Sequence, residues 1–109
     1  MKKFKCKIDF SKYEHGGVSV PSSTLYSLQL YTLYGIEPGG FLKAVLCNDL
    51  FRAMASADLT NMKGLPATVS FIYNKLPQQA WGSEKKMWDW MNKRRTDQWE
   101  VADEQLQEI

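Results

Sequence analysis

The sequence has few of the residues that carry out chemistry: one histidine, His15, and two cysteines, Cys6 and Cys47. The cysteines lie far apart, and no histidine or second cysteine stands near either of them at the spacing of metal ligands. Because a usual zinc set would then need several carboxylates, we expect no bound metal and no cofactor. Two reduced, structural thiols are the simpler interpretation, since free cysteine is commonly buried.

Long hydrophobic runs are also missing. No apolar stretch approaches the ~20 residues that a membrane span needs. The N-terminus MKKFKCKIDF is basic, but Lys5, Lys7 and Asp9 interrupt the continuous apolar segment that a secretion signal requires. We therefore expect a cytoplasmic protein with no membrane partner.

The 109 residues suit a single domain, and 44% hydrophobic with 24% charged residues is an ordinary globular balance. A net charge of +2 hides an uneven distribution, because residues 84–95 are basic whereas residues 96–109 carry five acids and no base. Such a pair of segments either neutralises itself within the molecule or accompanies nucleic-acid binding. We divide the chain 1–109 into an arm (1–21), a helical core (22–95) and an acidic tail (96–109).

The first twenty residues have the pattern of β-structure. Residues 3–9 alternate between apolar and polar side chains, which is typical of a half-buried strand. His15-Gly16-Gly17 has the composition of a turn, and residues 18–20 suit a short return strand. We predict an N-terminal β-hairpin or extended arm.

The first predicted helix covers residues 24–34. The hydroxyl of Ser22 or Ser23 is placed to cap its start, and Gly35 is a natural left-handed cap at its end. Apolar residues cover much of its circumference, so we expect it to be central or covered by a partner.

The second predicted helix runs from about 41 to 57, after a turn at Pro38 and Gly39. Most of its apolar residues form one stripe at three- and four-residue steps. Asp49 lies on the edge of that stripe, where it needs either a structural hydrogen bond to a neighbouring helix cap or tyrosine, or a contact with a ligand or partner. Phe51 lies opposite the start of the stripe, where water is expected.

The third predicted helix has Asp58 as its cap and ends at Lys75. Pro66 lies inside this pattern and removes one backbone hydrogen bond. Two alternatives follow: the helix is kinked at the proline, or it starts near Leu65 with Pro66 in its first turn.

The fourth predicted helix covers residues 84–95, with Ser83 as its cap and Trp81 placed as a hydrophobic staple. A final helix is predicted for the tail, residues 96–109. The fold class is thus mostly α: a small four-helix cluster with an N-terminal β-hairpin or extended arm and a C-terminal helical tail.

The middle of the chain contains several short motifs in a specific order and spacing. Pro38-Gly39-Gly40 is followed by Phe-Leu-x-Ala-Val-Leu-x-Asn-Asp-Leu over residues 41–50, then Tyr-Asn at 73–74, and Trp-Gly-Ser at 81–83. In this combination residues 20–91 resemble a family of small uncharacterised proteins of tailed phages and prophages. The resemblance implies a phage setting and brings no biochemical activity with it. Small accessory proteins in that setting often bind and redirect host machinery.

Candidate catalytic sites are weak. His15 stands beside two glycines in a predicted turn, and the sequence shows no catalytic partner for it, although folding could bring one close. The Pro-Gly-Gly turn lacks the lysine and Ser/Thr of a phosphate loop. We therefore predict that the protein is not an enzyme.

Binding residues are better represented. Four tryptophans fall within residues 81–99 and are interleaved with basic residues, a composition that suits a small core, a protein interface or nucleic-acid stacking. The candidate partner-binding residues are Phe51, Tyr34, Trp90, Arg94 and Trp99. The candidate structural residues are Pro38, Gly39, Asp49, Asp58, Trp81 and Ser83.

The function expected from these features is that of a non-catalytic phage or prophage accessory protein that binds a bacterial host protein. An inhibitor of a host or defence enzyme fits that description. The alternative is a small nucleic-acid-binding factor that uses the basic and aromatic residues 85–95. The sequence also allows a homo-oligomer.

Overall fold

The computed structural model of the chain describes residues 4–95 and 106–108, and within them the fold is mostly helical, as predicted. None of the described helices is both long enough and apolar enough to cross a membrane. The helices are α1 (Ser22–Tyr34), α2 (Gly40–Leu46), α3 (Leu50–Ser56), α4 (Leu59–Lys75) and α5 (Glu84–Arg95), with a 3₁₀ turn at Gln78–Ala80 before α5.

The core lies where α1, α4 and α5 bring their apolar sides together. Tyr31, Phe71 and Trp90 are its largest fully buried side chains. Tyr31 and Trp90 each use their one hydrogen-bond donor inside the core. The Tyr31 hydroxyl donates to the Ala80 carbonyl at 2.6 Å, and the Trp90 indole donates to the Thr32 carbonyl at 3.2 Å. These bonds let large aromatic side chains be buried without an unsatisfied donor.

Gly35 ends α1 in the left-handed conformation predicted for it, with φ of 69°. Its amide donates to the Tyr31 carbonyl at 3.0 Å. A Cβ at this position would lie 2.5 Å from the carbonyl oxygen of Met91, so only glycine allows α1 and α5 to approach so closely.

The serine cap predicted for α1 is wrong. Pro21 occupies the cap position, and no side chain there accepts a hydrogen bond. The Pro21 carbonyl accepts from the amides of Thr24 and Leu25, while Ser22 and Ser23 already lie inside the first turn. The ring of proline presets a φ that suits a helix start, so the helix begins two residues earlier than predicted.

The single helix predicted over 41–57 is two helices. Cys47 ends α2, Asn48 has a positive φ of 64°, and Asp49 caps α3 by accepting from the Arg52 amide at 3.1 Å. Asn and Asp favour such local breaks, because asparagine tolerates the left-handed region and a short carboxylate satisfies helix-start amides. The hydrogen bond expected of Asp49 is therefore made to its own helix.

The third predicted helix is confirmed as α4. Asp58 accepts from the Asn61 amide at 2.7 Å, as an N-cap does. The helix continues through Pro66, so the alternative start near Leu65 is wrong. Gly64 lets α4 pack closely against Ser19 and Pro21. A Cβ at this position would lie 2.9 Å from the Pro21 ring and 3.2 Å from the Ser19 carbonyl.

The β-structure pairs differently from the prediction. The hairpin consists of β2 (Glu14–His15) and β3 (Val18–Ser19), joined by Gly16-Gly17 with φ of 61° and 79°. A two-residue turn with two positive φ values pairs the residues that flank it directly, so the more distant residues 4–8 are not part of the hairpin.

The strand predicted over residues 3–9 has its partner at the other end of the chain. Strand β1 (Phe4–Cys6) pairs antiparallel with β4 (Leu106–Glu108), Cys6 opposite Leu106. These three C-terminal residues are thus extended, whereas a helix was predicted over 96–109. Residues 96–105 of that predicted helix lie outside the described residues.

Candidate protein-binding surface

Helix α4 is apolar on two sides. One side, with Leu65, Phe71 and Ile72, is buried in the core. The other carries exposed apolar residues at alternating steps of three and four. These residues are Leu59, Met62, Pro66, Val69 and Tyr73. Surface helices normally keep one face polar, so this second, exposed apolar stripe is unusual for a helix of an isolated chain.

Helix α3 extends the same kind of surface. Of its seven residues only Ala53 is buried. Phe51 is 88% exposed, and Leu50 and Met54 are also largely in water. The α3–α4 face is defined here as the exposed apolar residues of both helices: Leu50, Phe51, Met54, Leu59, Met62, Pro66, Val69 and Tyr73.

A groove of about 320 Å³ lies between the two helices. Ala53, Leu65 and Ile72 are its most buried lining residues. The remaining lining residues are Val45, Asn48, Asp49, Leu50, Val69, Tyr73 and Trp81. The volume lies in the range of pockets that hold small ligands or a few anchoring side chains.

The aromatic end of the groove is held in place. The rings of Tyr73 and Trp81 pack with centroids 5.6 Å apart at 52°. The Trp81 indole also donates to the Leu76 carbonyl at 3.3 Å, beyond the end of α4. Trp81, predicted to be structural, therefore packs against Tyr73 at one end of the groove.

The predicted partner-binding residues separate into three groups. Phe51 lies on the α3–α4 face, and Tyr34 is exposed at the end of α1, away from the residues that line the groove. Trp90 and Arg94 are only 1% and 2% exposed, which corrects the prediction that they contact a partner. Trp99 lies outside the described residues.

The burial of Trp90 and Arg94 has a packing cause. Position 90 falls on the side of α5 that meets α1, and the Arg94 guanidinium lies over the Trp90 ring at 5.4 Å, within the range of a cation–π contact. The sequence placed Trp90 on a broad apolar face of the fourth predicted helix and Arg94 in its last turn, and it did not decide whether that face meets the core or a partner.

The residues predicted to be structural are placed as helix starts. Ser83 accepts from the Lys86 amide at 3.2 Å, as an N-cap of α5. Gly39, which follows Pro38, caps α2 in an extended conformation, and its carbonyl accepts from the Lys43 amide at 2.9 Å. Together with Asp49 and Asp58, these residues set the starts of four helices.

Several basic residues of α5 already have partners within the molecule. Lys85 pairs with Asp89 at 2.7 Å, and Arg95 donates to the Gly35 carbonyl at 3.0 Å. With Trp90 buried, the exposed aromatic that accompanies these bases on α5 is Trp88. Stacking platforms need several accessible rings along a basic groove, so this geometry gives the nucleic-acid alternative little support.

One polar cluster was not foreseen, because folding joins distant segments. The Ser70 hydroxyl of α4 lies 2.9 Å from the Tyr13 hydroxyl and 3.3 Å from Nδ1 of His15. Asn74 donates to the same hydroxyl at 3.2 Å. A hydrolytic triad would also need a carboxylate on the imidazole, and none among the described residues hydrogen-bonds to it; the cluster braces the hairpin against α4.

Within residues 4–95 and 106–108, no three His, Cys, Asp or Glu side chains lie close enough to hold a metal ion. The Cys47 thiol is half-buried 3.7 Å from the Met87 sulfur, and burial raises its pKa, which makes it a weak nucleophile.

No protein-family model matches the chain, and neither a curated protein nor a solved structure is significantly similar to it. The resemblance of residues 20–91 to the tailed-phage family therefore rests on its motifs alone.

Proposed function

We propose that this chain is a non-catalytic accessory protein, encoded by a phage or prophage, that binds a bacterial host protein through the α3–α4 face. The phage setting comes from the motifs of residues 20–91. The binding role is supported by one observation above all: Phe51 and its apolar neighbours on two adjacent helices are exposed to water around an apolar groove.

The cost of that exposure supports the proposal. Burying one large apolar side chain is favourable by roughly 1.5–3 kcal/mol, and the α3–α4 face leaves eight apolar residues at the surface of a 109-residue chain. Contiguous apolar patches of this kind mark interaction sites in soluble proteins. Phe51 is 88% exposed on α3, whose residues Leu50 and Ala53 line the groove, and a large exposed aromatic side chain suits an interface anchor.

The chemistry of the groove also favours binding over catalysis. Its one carboxylate, Asp49, is occupied as the cap of α3 and paired with Arg52 at 3.4 Å. Apolar side chains make up most of the remaining lining, and they offer contact area without an acid, a base or a nucleophile. Inhibition of a host enzyme by occupying one of its surfaces needs nothing more.

The test is affinity capture from nuclease-treated bacterial lysate, with the whole chain as bait. Phe51→Glu should remove the captured protein, because a carboxylate would be buried without a partner, while the circular dichroism of the variant stays helical. The matched control is Tyr26→Glu, which places the same charge on a residue that is 60% exposed on α1. Capture that is unaffected by Phe51→Glu would contradict the proposal.

The nucleic-acid alternative makes the opposite prediction. Reversing the charges of Lys85, Lys86 and Lys93 should then abolish binding, and wild-type affinity should fall steeply with added salt as counterions are released. Under the protein-binding proposal the same reversal changes mainly the association rate, and nuclease treatment of the lysate leaves capture intact.

A further inference from the structure

We infer that Met54 and Met62 form an oxidation switch on the α3–α4 face: conversion of their thioethers to sulfoxides turns partner binding off and leaves the fold intact. This inference rests on the proposed function and adds a means of regulating the same surface. It does not depend on which partner covers the face. It is carried by the way the structure divides the methionines between water and the core.

The four methionines of residues 4–95 form two distinct pairs. Met54 and Met62 are 41% and 42% exposed, whereas Met87 and Met91 are 2% and 0% exposed. A thioether is oxidised where the oxidant can reach its sulfur, so susceptibility follows exposure. An oxidant in solution therefore reaches the first pair in the folded protein, while the second pair is shielded.

Met54 lies in the middle of the exposed side of α3. It follows Leu50 by four residues and Phe51 by three, and these spacings place all three side chains on one side of the helix. Both neighbours are exposed. A polar group added at Met54 would therefore stand beside Phe51, the residue with the largest exposed fraction on this face.

Met62 has the corresponding position on α4. It follows Leu59 by three residues and precedes Pro66 by four, so it belongs to the exposed apolar stripe of that helix. The two sulfurs thus lie on the surface that a partner would cover, one on each of its helices.

Oxidation by a peroxide changes the polarity of these side chains. The sulfur donates a lone pair to one oxygen of hydrogen peroxide, the O–O bond breaks, and the second oxygen leaves as water. The sulfur is oxidised by two electrons and the peroxide is reduced by two. An apolar, adaptable thioether becomes a polar sulfoxide, and methionine sulfoxide reductases reverse the change.

A partner that covers the face would have to bury the two sulfoxide oxygens. A buried polar group without a hydrogen-bond partner is unfavourable. The helix neighbours of both methionines are Leu50, Phe51, Leu59 and Pro66, and none of them has a side-chain donor. Oxidation should therefore weaken binding, as it does at methionine-rich interfaces in general.

The fold should survive the same oxidant, because its own methionines are enclosed. The Met87 sulfur lies 3.7 Å from the Cys47 thiol, and the Met91 sulfur accepts from the Arg95 guanidinium at 3.6 Å. Both methionine side chains belong to the buried core. Peroxide therefore alters the face without altering the packing of α5.

Peptide mapping by mass spectrometry tests the chemical part of the inference. After brief treatment of the folded whole chain with hydrogen peroxide, Met54 and Met62 should each gain one oxygen. Met87 and Met91 should gain oxygen only when the protein is unfolded in urea during the treatment. Equal oxidation of all four residues in the folded protein, or no oxidation of the exposed pair, would overturn the inference.

Affinity capture tests the effect on binding. The treated whole chain, freed of peroxide, is used as bait in dialysed, nuclease-treated bacterial lysate. At limiting bait concentration the amount of captured protein should fall by about tenfold, because two polar groups would be buried without partners. Treatment of the oxidised bait with methionine sulfoxide reductases specific for each sulfoxide epimer should restore capture.

The matched control is Met54→Leu combined with Met62→Leu. Leucine keeps the approximate volume and the apolar character of methionine without an oxidisable sulfur, so this variant should capture as untreated wild type does, with or without peroxide. Met1 and both cysteines are the same in the two proteins. An equal loss of capture after peroxide would therefore assign the effect to another residue and overturn the inference. Circular dichroism of each sample separates loss of binding from loss of fold.

The variant Phe51→Glu, tested without peroxide, distinguishes failure of the inference from failure of the proposed function. Capture that depends on Phe51 but does not respond to peroxide would contradict the oxidation switch and leave the proposed function standing. Capture that Phe51→Glu leaves unchanged would contradict both, since the face would then hold no partner to release.

Discussion

At the scale of single residues, Tyr31 shows how one buried hydroxyl contributes to the fold. Its side chain is fully buried, and it donates to the Ala80 carbonyl at 2.6 Å. Tyr31→Phe leaves that carbonyl without a donor in the core, so we expect the free energy of unfolding to fall by about 1–3 kcal/mol. Urea denaturation at neutral pH measures it, and an unchanged midpoint would contradict this role.

The same residue should make the fold sensitive to alkaline pH. Burial raises the pKa of Tyr31 above its ordinary value of 10.0. Its stabilising contribution is therefore complete below that value and is lost as the pH rises above it, because the unfolded chain releases the proton first. Between about pH 9 and pH 11 the wild type should lose more stability than Tyr31→Phe; equal losses would show that another group is responsible.

At the scale of elements, the N-cap residues determine where the helices begin. Asp58→Ala and Ser83→Ala should each destabilise the protein by roughly 0.5–2 kcal/mol, because each removes the acceptor of an amide at a helix start. Asp58→Asn, which keeps an acceptor, is the matched control and should cost less. Thermal melts that coincide with the wild type for both alanine variants would show that these caps do not hold α4 and α5.

The helix boundaries were predictable where a single residue type has one strong local role. Gly35 ends α1 because a residue without a Cβ readily adopts a positive φ. Asp58 and Ser83 start helices because their side-chain oxygens accept amides of the first turn. The sequence did not predict the helix break at Asn48-Asp49, because the helical spacing of apolar residues continues across these two polar residues. Hydrophobic periodicity shows which side of a segment is apolar, but it does not show whether the backbone is helical along the whole segment.

At the scale of the whole molecule, the mostly helical fold followed from the sequence, while the pairing of the strands did not. Alternation showed that residues 3–9 suit a strand, but its partner, Leu106–Glu108, lies about a hundred residues away along the chain. Short strands carry too little pattern to specify a partner at that distance.

The candidate site was only half predictable for a related reason. Phe51 stood out because one helical stripe assigned it to water, and the structure places it there. The apolar residues of α4 all keep helical spacing in the sequence, although Leu65 and Ile72 are buried in the core while Val69 and Tyr73 are exposed. Which part of a wide apolar arc stays exposed depends on how the neighbouring helices pack, and the sequence of one helix does not contain that information.

The central claim, that the α3–α4 face binds another protein, is tested most directly by photo-crosslinking in bacterial cells. The whole chain is expressed with benzoylphenylalanine in place of Phe51, and in a second variant in place of Tyr26, which is exposed on α1. The account predicts a covalent adduct with a bacterial protein from position 51 and none from position 26. Adducts from position 26 alone, or only adducts between two copies of this chain, would contradict it.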